Sequence, residues 1–373
     1  MSTPAYRGLT WDHPRGYRAL EAAAAIVAPT HGLSIAWDRH PLEGFESHPI
    51  ADLAQRYDLI VLDHPHVGEA VAHDCLLPME QVIGTDAVAA LEPAAIGPSL
   101  VSYRYGGQHW ALPLDAASQV MAYAPARVGT PPQTWEEVTA LAPREPVALS
   151  LSGPHAALTF QSIVASLHAG GRPEGRFVDP HTGREAYELM ARLTGDATRA
   201  RIDQNPIALL EALSNGEDIA LVPLVYGYVN YARSGVAFAD APRGAAAIGS
   251  ILGGTGIAVS RRCAVTDELR AHLLWLMSEE AQTAFIPAHE GQPALRAAWA
   301  DRQVDAAWNG FYSSTRATLE AASLRPRHDG AIAFQTEASA RLRESLLAQE
   351  AAATVLAGIE AAYTRHHTRG TET

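Results

Sequence analysis

The chain has 373 residues, 47% of them hydrophobic and 18% charged, an ordinary globular composition with length enough for two cores. Its formal net charge of −13, with no basic run to offset it, excludes nucleic acid as the expected partner. All 28 basic residues are arginine, which excludes a Schiff base, a lysine-anchored pyridoxal phosphate and a Walker-A phosphate loop.

The N-terminal segment "MSTPAYRGLTWDHPRGY" has no basic n-region, no apolar h-region and no small-residue cleavage site. The expected location is therefore the cytoplasm, or the periplasm if the true start lies upstream. Strands and helices alternate from there. "YRGLT" (6–10) reads as a strand, followed by a loop and a helix through "DHPRGYRALEAAAAIVAPTHG"; "LSIAW" (33–37) and "YDLIVLD" (57–63) read as the next strands. Continuous apolar strands separated by helical stretches indicate a parallel sheet with right-handed crossovers. Cys75 and Cys263 are the only cysteines and sit in no metal-spaced motif, so a zinc-thiolate site is excluded and a disulfide is left open. In "VSYRYGGQHWALPLDA" (101–116) aromatic residues flank a Gly-Gly turn, and Pro113 interrupts the strand that follows. Proline cannot donate to a ladder, so it suits a crossing or edge position.

Further along, "TPPQTWEEVTALA" (130–142) has a threonine cap and an acidic first turn, a good helix start. "VALSLSG" (147–153) reads as a strand, "GEDIALVPLVYGYVNYA" (216–232) runs from strand to helix, and "AAAIGSILGGTGIAVS" (245–260) reads as two strands around a glycine turn. From about residue 265 nearly everything reads helical. Trp135, Trp275, Trp299 and Trp308 fall at helical spacings and read as core. No run reaches the roughly 18 apolar residues of a membrane helix, so no membrane insertion is expected, and no motif asks for a cofactor.

Six segments in this order resemble the extracellular solute-binding proteins of sugar type, the two-lobed receptors of ATP-driven importers: "YDLIVLDHPHVGEA", "SYRYGGQHWALPLDAASQVMAY", "PPQTWEEVTALA", "LSNGEDIALVPLVYGY", "GGTGIAVS" and "SEEAQTAFIPAHEGQPALRAAW". The resemblance implies an α/β, type II periplasmic-binding-protein-like fold, each lobe a doubly wound, mostly parallel sheet. Residues 1–112 and 256–300 would form one lobe and 116–250 the other, with helices of 301–373 packing on the second lobe or the hinge. It also implies a ligand clamped between the lobes by hinge closure. Trp110 and Asp115 would then stand at the cleft floor. Gly253, Gly254 and Thr255 would mark the return crossing, where bare backbone lets a ligand approach.

The sequence contains an echo, "DHPRG" (12–16) and "DHPHVG" (63–68), each following a predicted strand. Ligands of open α/β sheets bind beyond the carboxyl ends of strands, so Trp11, Asp12, His13, Asp63, His64 and His66 are candidates for the cleft lip. Aspartate or histidine before proline is also good helix-capping chemistry. The H-x-H spacing of His64 and His66, with His13, is compatible with a metal but lacks a helix-fixed signature, and no metal is assigned. Arg15 suits bidentate pairing with an anion. Tyr226 and Tyr228 offer stacking faces and hydroxyls across the cleft, and His289 in "AHEGQP" either joins the cleft or caps the next helix.

Two functions fit these residues. One is binding of a small polar molecule, sugar-like or carboxylated, with an importer permease as partner only if the protein is exported. The alternative is an enzyme performing elimination, isomerisation or hydrolysis on the same scaffold. In that reading His13 and His64 are the acid and base and Asp12 or Asp63 orients one imidazole.

Overall fold

The computed structural model describes residues 3–367. Among these described residues nine strands form: β1 (Ala5–Trp11), β2 (Ser34–His40), β3 (Leu59–Leu62), β4 (Arg104–Tyr105), β5 (Gln108–His109), β6 (Leu112–Tyr123), β7 (Leu221–Tyr226), β8 (Ala237–Ala239) and β9 (Leu252–Val259). Seven of them join in one sheet of order β2-β1-β3-β9-β6-β7, with β8 also on β6.

The first lobe begins as the sequence predicts. β1 pairs in parallel with β2 and β3, and the four residues of β3, all apolar, are buried on both faces. The crossover helix Pro14–Ile26 starts with proline in its first turn and the His13 side chain accepting from the Arg15 N–H. Its buried positions, Arg15, Ala19, Leu20 and Ala23, follow helical spacing. Gly106 and Gly107, both with positive φ, make the tight turn between β4 and β5.

β6 ties the halves together. Its twelve residues are buried except at the last position. Residues Leu112–Ser118 pair antiparallel with β9, whereas Gln119–Tyr123 pair antiparallel with β7 and Met121–Tyr123 with β8. Pro113 lies where β6 has β9 on one side only, so its missing N–H costs no second ladder. The mostly parallel expectation holds for β2-β1-β3 and fails beyond them, because β6 and β9 cross between the lobes in opposite directions.

Two predicted strands need correcting. Residues 147–153 form no strand beyond a single bridge from Val147 to Leu221, because the Leu149 N–H donates to the Thr198 hydroxyl instead of a ladder (3.1 Å). The stretch 245–260 holds one strand, β9, with Gly253 and Gly254 inside it. Gly254 has φ +92°, and a Cβ there would lie 2.4 Å from the Asp115 carbonyl oxygen, so the glycine permits close strand contact and makes no turn.

One large core lies around the β2-β1-β3 half, the two crossing strands and the helices between 267 and 320. A second is built on the Trp135–Leu141, His155–Leu167 and Pro180–Leu193 helices with the C-terminal pair Ala331–Ala348 and Ala352–His366. Phe160, Phe177, Phe334 and Tyr363 stack there. Trp135 belongs to this core, and Trp299 and Trp308 to the first, while Trp275 is only partly buried against it. The thiols of Cys75 and Cys263 are free. No helix among the described residues is long and apolar enough to cross a membrane.

Candidate functional site

The loops after β1 and β3, the middle of β6 and β9, and the end of β7 converge between the lobes. Trp11, Arg15, Asp63, Tyr226, Tyr228, Gly253, Gly254 and Thr255 line one cavity there, joined by Leu42, Phe45, Glu46 and Ala117. It measures about 40 Å³, room for a few waters and less than any monosaccharide. The lobes stand closed over it.

Arg15 is the centre of the first cluster. Its guanidinium grips Asp115 with two nitrogens, Nε to Oδ2 at 2.8 Å and Nη2 to Oδ1, and donates to the Gly227 carbonyl at 3.0 Å. Both side chains are buried. Burial opposes the Arg15 charge, but the adjoining carboxylate outweighs it and holds the guanidinium above its ordinary range. The cation lies 4.8 Å from the Tyr228 ring and 5.7 Å from that of Trp11, a desolvated cation–π arrangement. His13 stacks on Trp11 at 5.2 Å and meets Tyr228 edge-on at 4.9 Å. Its Nδ1 is committed to the Arg15 N–H at 3.1 Å. Burial and then the Arg15 charge push the imidazole down to about 3.

The second cluster joins Asp63, His64 and Arg325. Arg325 donates to Asp63 Oδ1 through Nη2, and its backbone N–H donates to His64 Nε2 at 3.4 Å. The other ring nitrogen, Nδ1, lies 3.2 Å from Asp63 Oδ1 and 3.4 Å from Arg325 Nη2. Burial and the Arg325 charge push His64 down to about 4. Asp63 is held well below the usual carboxylate range: burial works against this, and Arg325 and His64 overcome it.

A third contact spans the cleft mouth. Glu46, on the helix Leu42–Ser47 of the first lobe, lies 3.3 Å from Nε2 of His155 in the second. His155 is only 1% exposed, and neither ring nitrogen makes a hydrogen bond. Gln292 fastens the hinge below: its Nε2 donates to the Ala116 carbonyl (2.7 Å), and its Oε1 accepts from the Val229 N–H (3.2 Å).

The structure thus gathers Trp11, His13, Arg15, Asp63, His64, Asp115, Tyr226, Tyr228, Gly253, Gly254 and Thr255 around the cleft, and places four other candidates elsewhere. Trp110 is buried in a satellite core with Leu9, Ile60 and Tyr103, its Nε1 donating to the Tyr105 carbonyl; the Gly-Gly hairpin folds it inward, away from the cleft floor. Asp12 is exposed and pairs with Arg39 at 3.5 Å, so it orients no imidazole. His66 is buried 3.6 Å from Glu69. His289 is partly exposed and donates to the Phe285 carbonyl of its own turn. Tyr226 donates to the Leu252 carbonyl, and its ring fills the space above Gly253, where a Cβ would come within 2.4 Å. Gly253 is therefore needed first for tyrosine packing. His13 and His64 sit in separate clusters, each committed to an arginine N–H.

Sequence reasoning missed Glu46, His155, Arg325 and Gln292. Arg325 had a signal, since "LRPRH" (324–328) breaks the helical run with a proline. "GPH" (153–155) announces the helix start that aims His155 at the cleft. Gln292 stood in the quoted "HEGQP" segment, and Glu46 had no signal at all. Among the described residues, no group of three or more His, Cys, Asp and Glu is placed to hold a metal ion.

Comparison with known proteins gives a consistent result. The chain resembles maltose-bound MalE3 of T. maritima (TM-score 0.79, 14% identity, 96% of this chain and 98% of that one). It also resembles a solute-binding protein of Thermotoga lettingae bound with α-D-tagatose (0.80, 14%, 97% and 99%). A third similar structure is the Agrobacterium radiobacter solute-binding protein in complex with ribitol (0.74, 17%, 97% and 98%). No curated protein sequence matches. The family described as bacterial extracellular solute-binding protein matches residues 49–309, more than half of the chain, and the protein belongs to that family.

Proposed function

We propose that the protein binds a small, neutral, polyhydroxylated molecule, a sugar or polyol, between its lobes and closes over it. The observation that carries this reading is the lining of the cleft. Trp11, Tyr226 and Tyr228 offer ring faces beside donors and acceptors whose charges already cancel, Arg15 against Asp115 and Arg325 against Asp63. Aromatic faces cover the apolar side of a sugar ring, and carboxylates and guanidinia read its hydroxyls. These two pairs contribute little net field to demand a charged ligand. Maltose, α-D-tagatose and ribitol in the similar structures belong to the same chemical class. An importer permease is the corresponding partner. The alternative of acid–base catalysis gains no support here, because His13 and His64 are held at about 3 and 4, far from the range a general base near neutral pH uses.

The test is a thermal-unfolding screen against hexoses, disaccharides and polyols, paired with mass spectrometry of whatever molecule co-purifies. A true ligand at one hundred times its dissociation constant adds about 2.7 kcal/mol of stability. Stabilisation by a sugar or polyol supports the reading; no stabilisation by any of them, or a retained ligand of another class, refutes it.

A further inference from the structure

His31 and His272 form a pair that the cleft does not use. His31 closes the short helical turn Ala28–His31, which follows the crossover helix and leads into β2. Gly32, at φ +80°, ends that turn in the left-handed region and donates its N–H to the Ala28 and Pro29 carbonyls, which fixes where His31 stands. His272 lies on the helix Asp267–Leu276, which packs against the turn.

The two Nδ1 atoms face each other at 3.3 Å, with the rings inclined at 71°. Two metal–imidazole bonds of about 2.0–2.1 Å at a tetrahedral angle span roughly 3.3–3.4 Å. The nitrogens therefore already stand at the bite of a single metal ion. His272 is buried, and Trp275 stacks on it at 5.8 Å, so its ring is held in place. His31 is half-buried and leaves the pair within reach of solvent.

The surrounding charges suit a cation. Burial holds His13, His40 and His64 neutral, but each also has an arginine close enough to lower it further, and that guanidinium would repel a metal ion. His272 is pushed down to about 4 by burial and then by His31, with no arginine contributing. Arg270 of the same helix is turned to Asp267 and the Val82 carbonyl. At neutral pH the His272 ring thus carries no proton to compete with a metal. Glu268, one turn before His272, shares its face of the helix, and its Cγ lies 3.7 Å from where a Cβ on Gly32, the neighbour of His31, would stand. Its carboxylate meets Thr266, so the pair itself supplies two donors.

We propose that His31 and His272 are the nucleus of a binding site for a divalent late transition-metal ion (zinc, nickel or copper), completed by water and by Glu268 once its carboxylate leaves Thr266. The ion would clamp the turn before β2 to the helix Asp267–Leu276. Imidazole suits these ions, whereas magnesium and calcium require oxygen donors. The site is separate from the cleft and does not depend on what the cleft binds.

The test is titration calorimetry of the full chain, free of any affinity tag, with ZnCl2, together with electron paramagnetic resonance of the same protein carrying one equivalent of CuCl2. Saturable zinc binding that survives about a hundredfold excess of MgCl2 is expected, with a copper spectrum split by two nitrogens. His31→Gln should weaken zinc roughly tenfold or more and leave one nitrogen in the copper spectrum; His272→Gln provides a second variant should His31→Gln fail to fold. His366→Gln, at a surface histidine–glutamate contact elsewhere, should bind zinc as the wild type does. No saturable binding, wild-type affinity in the folded His31→Gln or His272→Gln protein, or loss of binding in His366→Gln instead would overturn the site. Wild-type affinity in Glu268→Gln would overturn the part given to that carboxylate.

Discussion

Arg15 and Asp115 are buried charges whose merit depends on each other. A buried pair contributes little net stability against an apolar replacement, yet removing one partner leaves an uncompensated charge. Asp115→Asn should therefore destabilise the protein by roughly 3–5 kcal/mol, measured by urea unfolding. An effect below about 1 kcal/mol would mean that solvent reaches Arg15. The histidines make a separate, pH-dependent prediction. His13 and His64 have folded pKa values of about 3 and 4, below the unfolded value. Above about pH 6.5 both states are neutral and the groups contribute no pH dependence. As the pH falls from there toward 4 the unfolded chain takes up protons that the folded one refuses, and stability drops by up to about 1.4 kcal/mol per pH unit for each histidine. Unfolding measured at pH 7 and pH 5 should show this slope, to which His40 and His272, also pushed down to about 4 by burial, add their share, and His64→Gln should remove about a quarter of the joint contribution. The sequence exposed these histidines through the repeated "DHP", but spacing could not show that Arg325, some 260 residues away, immobilises one of them.

At the scale of elements, β9 shows how a local signal can be right about glycine and wrong about the turn. Gly253 and Gly254 attracted a turn assignment, yet their smallness serves contact between β9, β6 and Tyr226. Gly254→Ala combines a left-handed φ with a contact to backbone, and we expect a loss of about 1–3 kcal/mol or more in chemical unfolding. Gly253→Ala meets a side chain instead, so its methyl should displace Tyr226 into the cleft and weaken ligand binding more than stability. If titration calorimetry shows wild-type affinity for Gly253→Ala, that packing argument fails. The alternation of apolar strands and capped helices made β1, β2, β3 and the Thr134-capped helix legible, because each is decided by residues close in sequence. Residues 147–153 were misread because a buried apolar run looks the same whether its N–H groups meet a strand or the Thr198 hydroxyl. Trp110 was misplaced for a related reason: the glycine hairpin was visible, but the side of the sheet to which it returns its tryptophan was not.

For the whole molecule, the two lobes are joined by β6 and β9 and held shut by contacts from distant parts of the chain. Arg15 reaches the Gly227 carbonyl, Glu46 faces His155, and Asn230 donates to Glu290 at 3.0 Å. The C-terminal region adds a strap: Arg325 grips Asp63, and Arg327 Nη1 donates to the carbonyls of Val101, Ser102 and Arg104 in the first lobe, before the next helix packs on the second. The order of segments made the two-lobed plan readable from sequence, whereas these cross-lobe contacts depend on tertiary placement. Closure over about 40 Å³ requires the lobes to part before a sugar enters, a motion on the microsecond-to-millisecond scale. Titration calorimetry of wild type and Tyr228→Ala, with the sugar or polyol selected by the stability screen, asks whether the ligand sits between the aromatic faces of this cleft. Tyr228 covers the Arg15 cation and lines the cavity, so the folded variant should bind at least tenfold more weakly. Equal affinity in the two proteins would place the ligand outside the cleft.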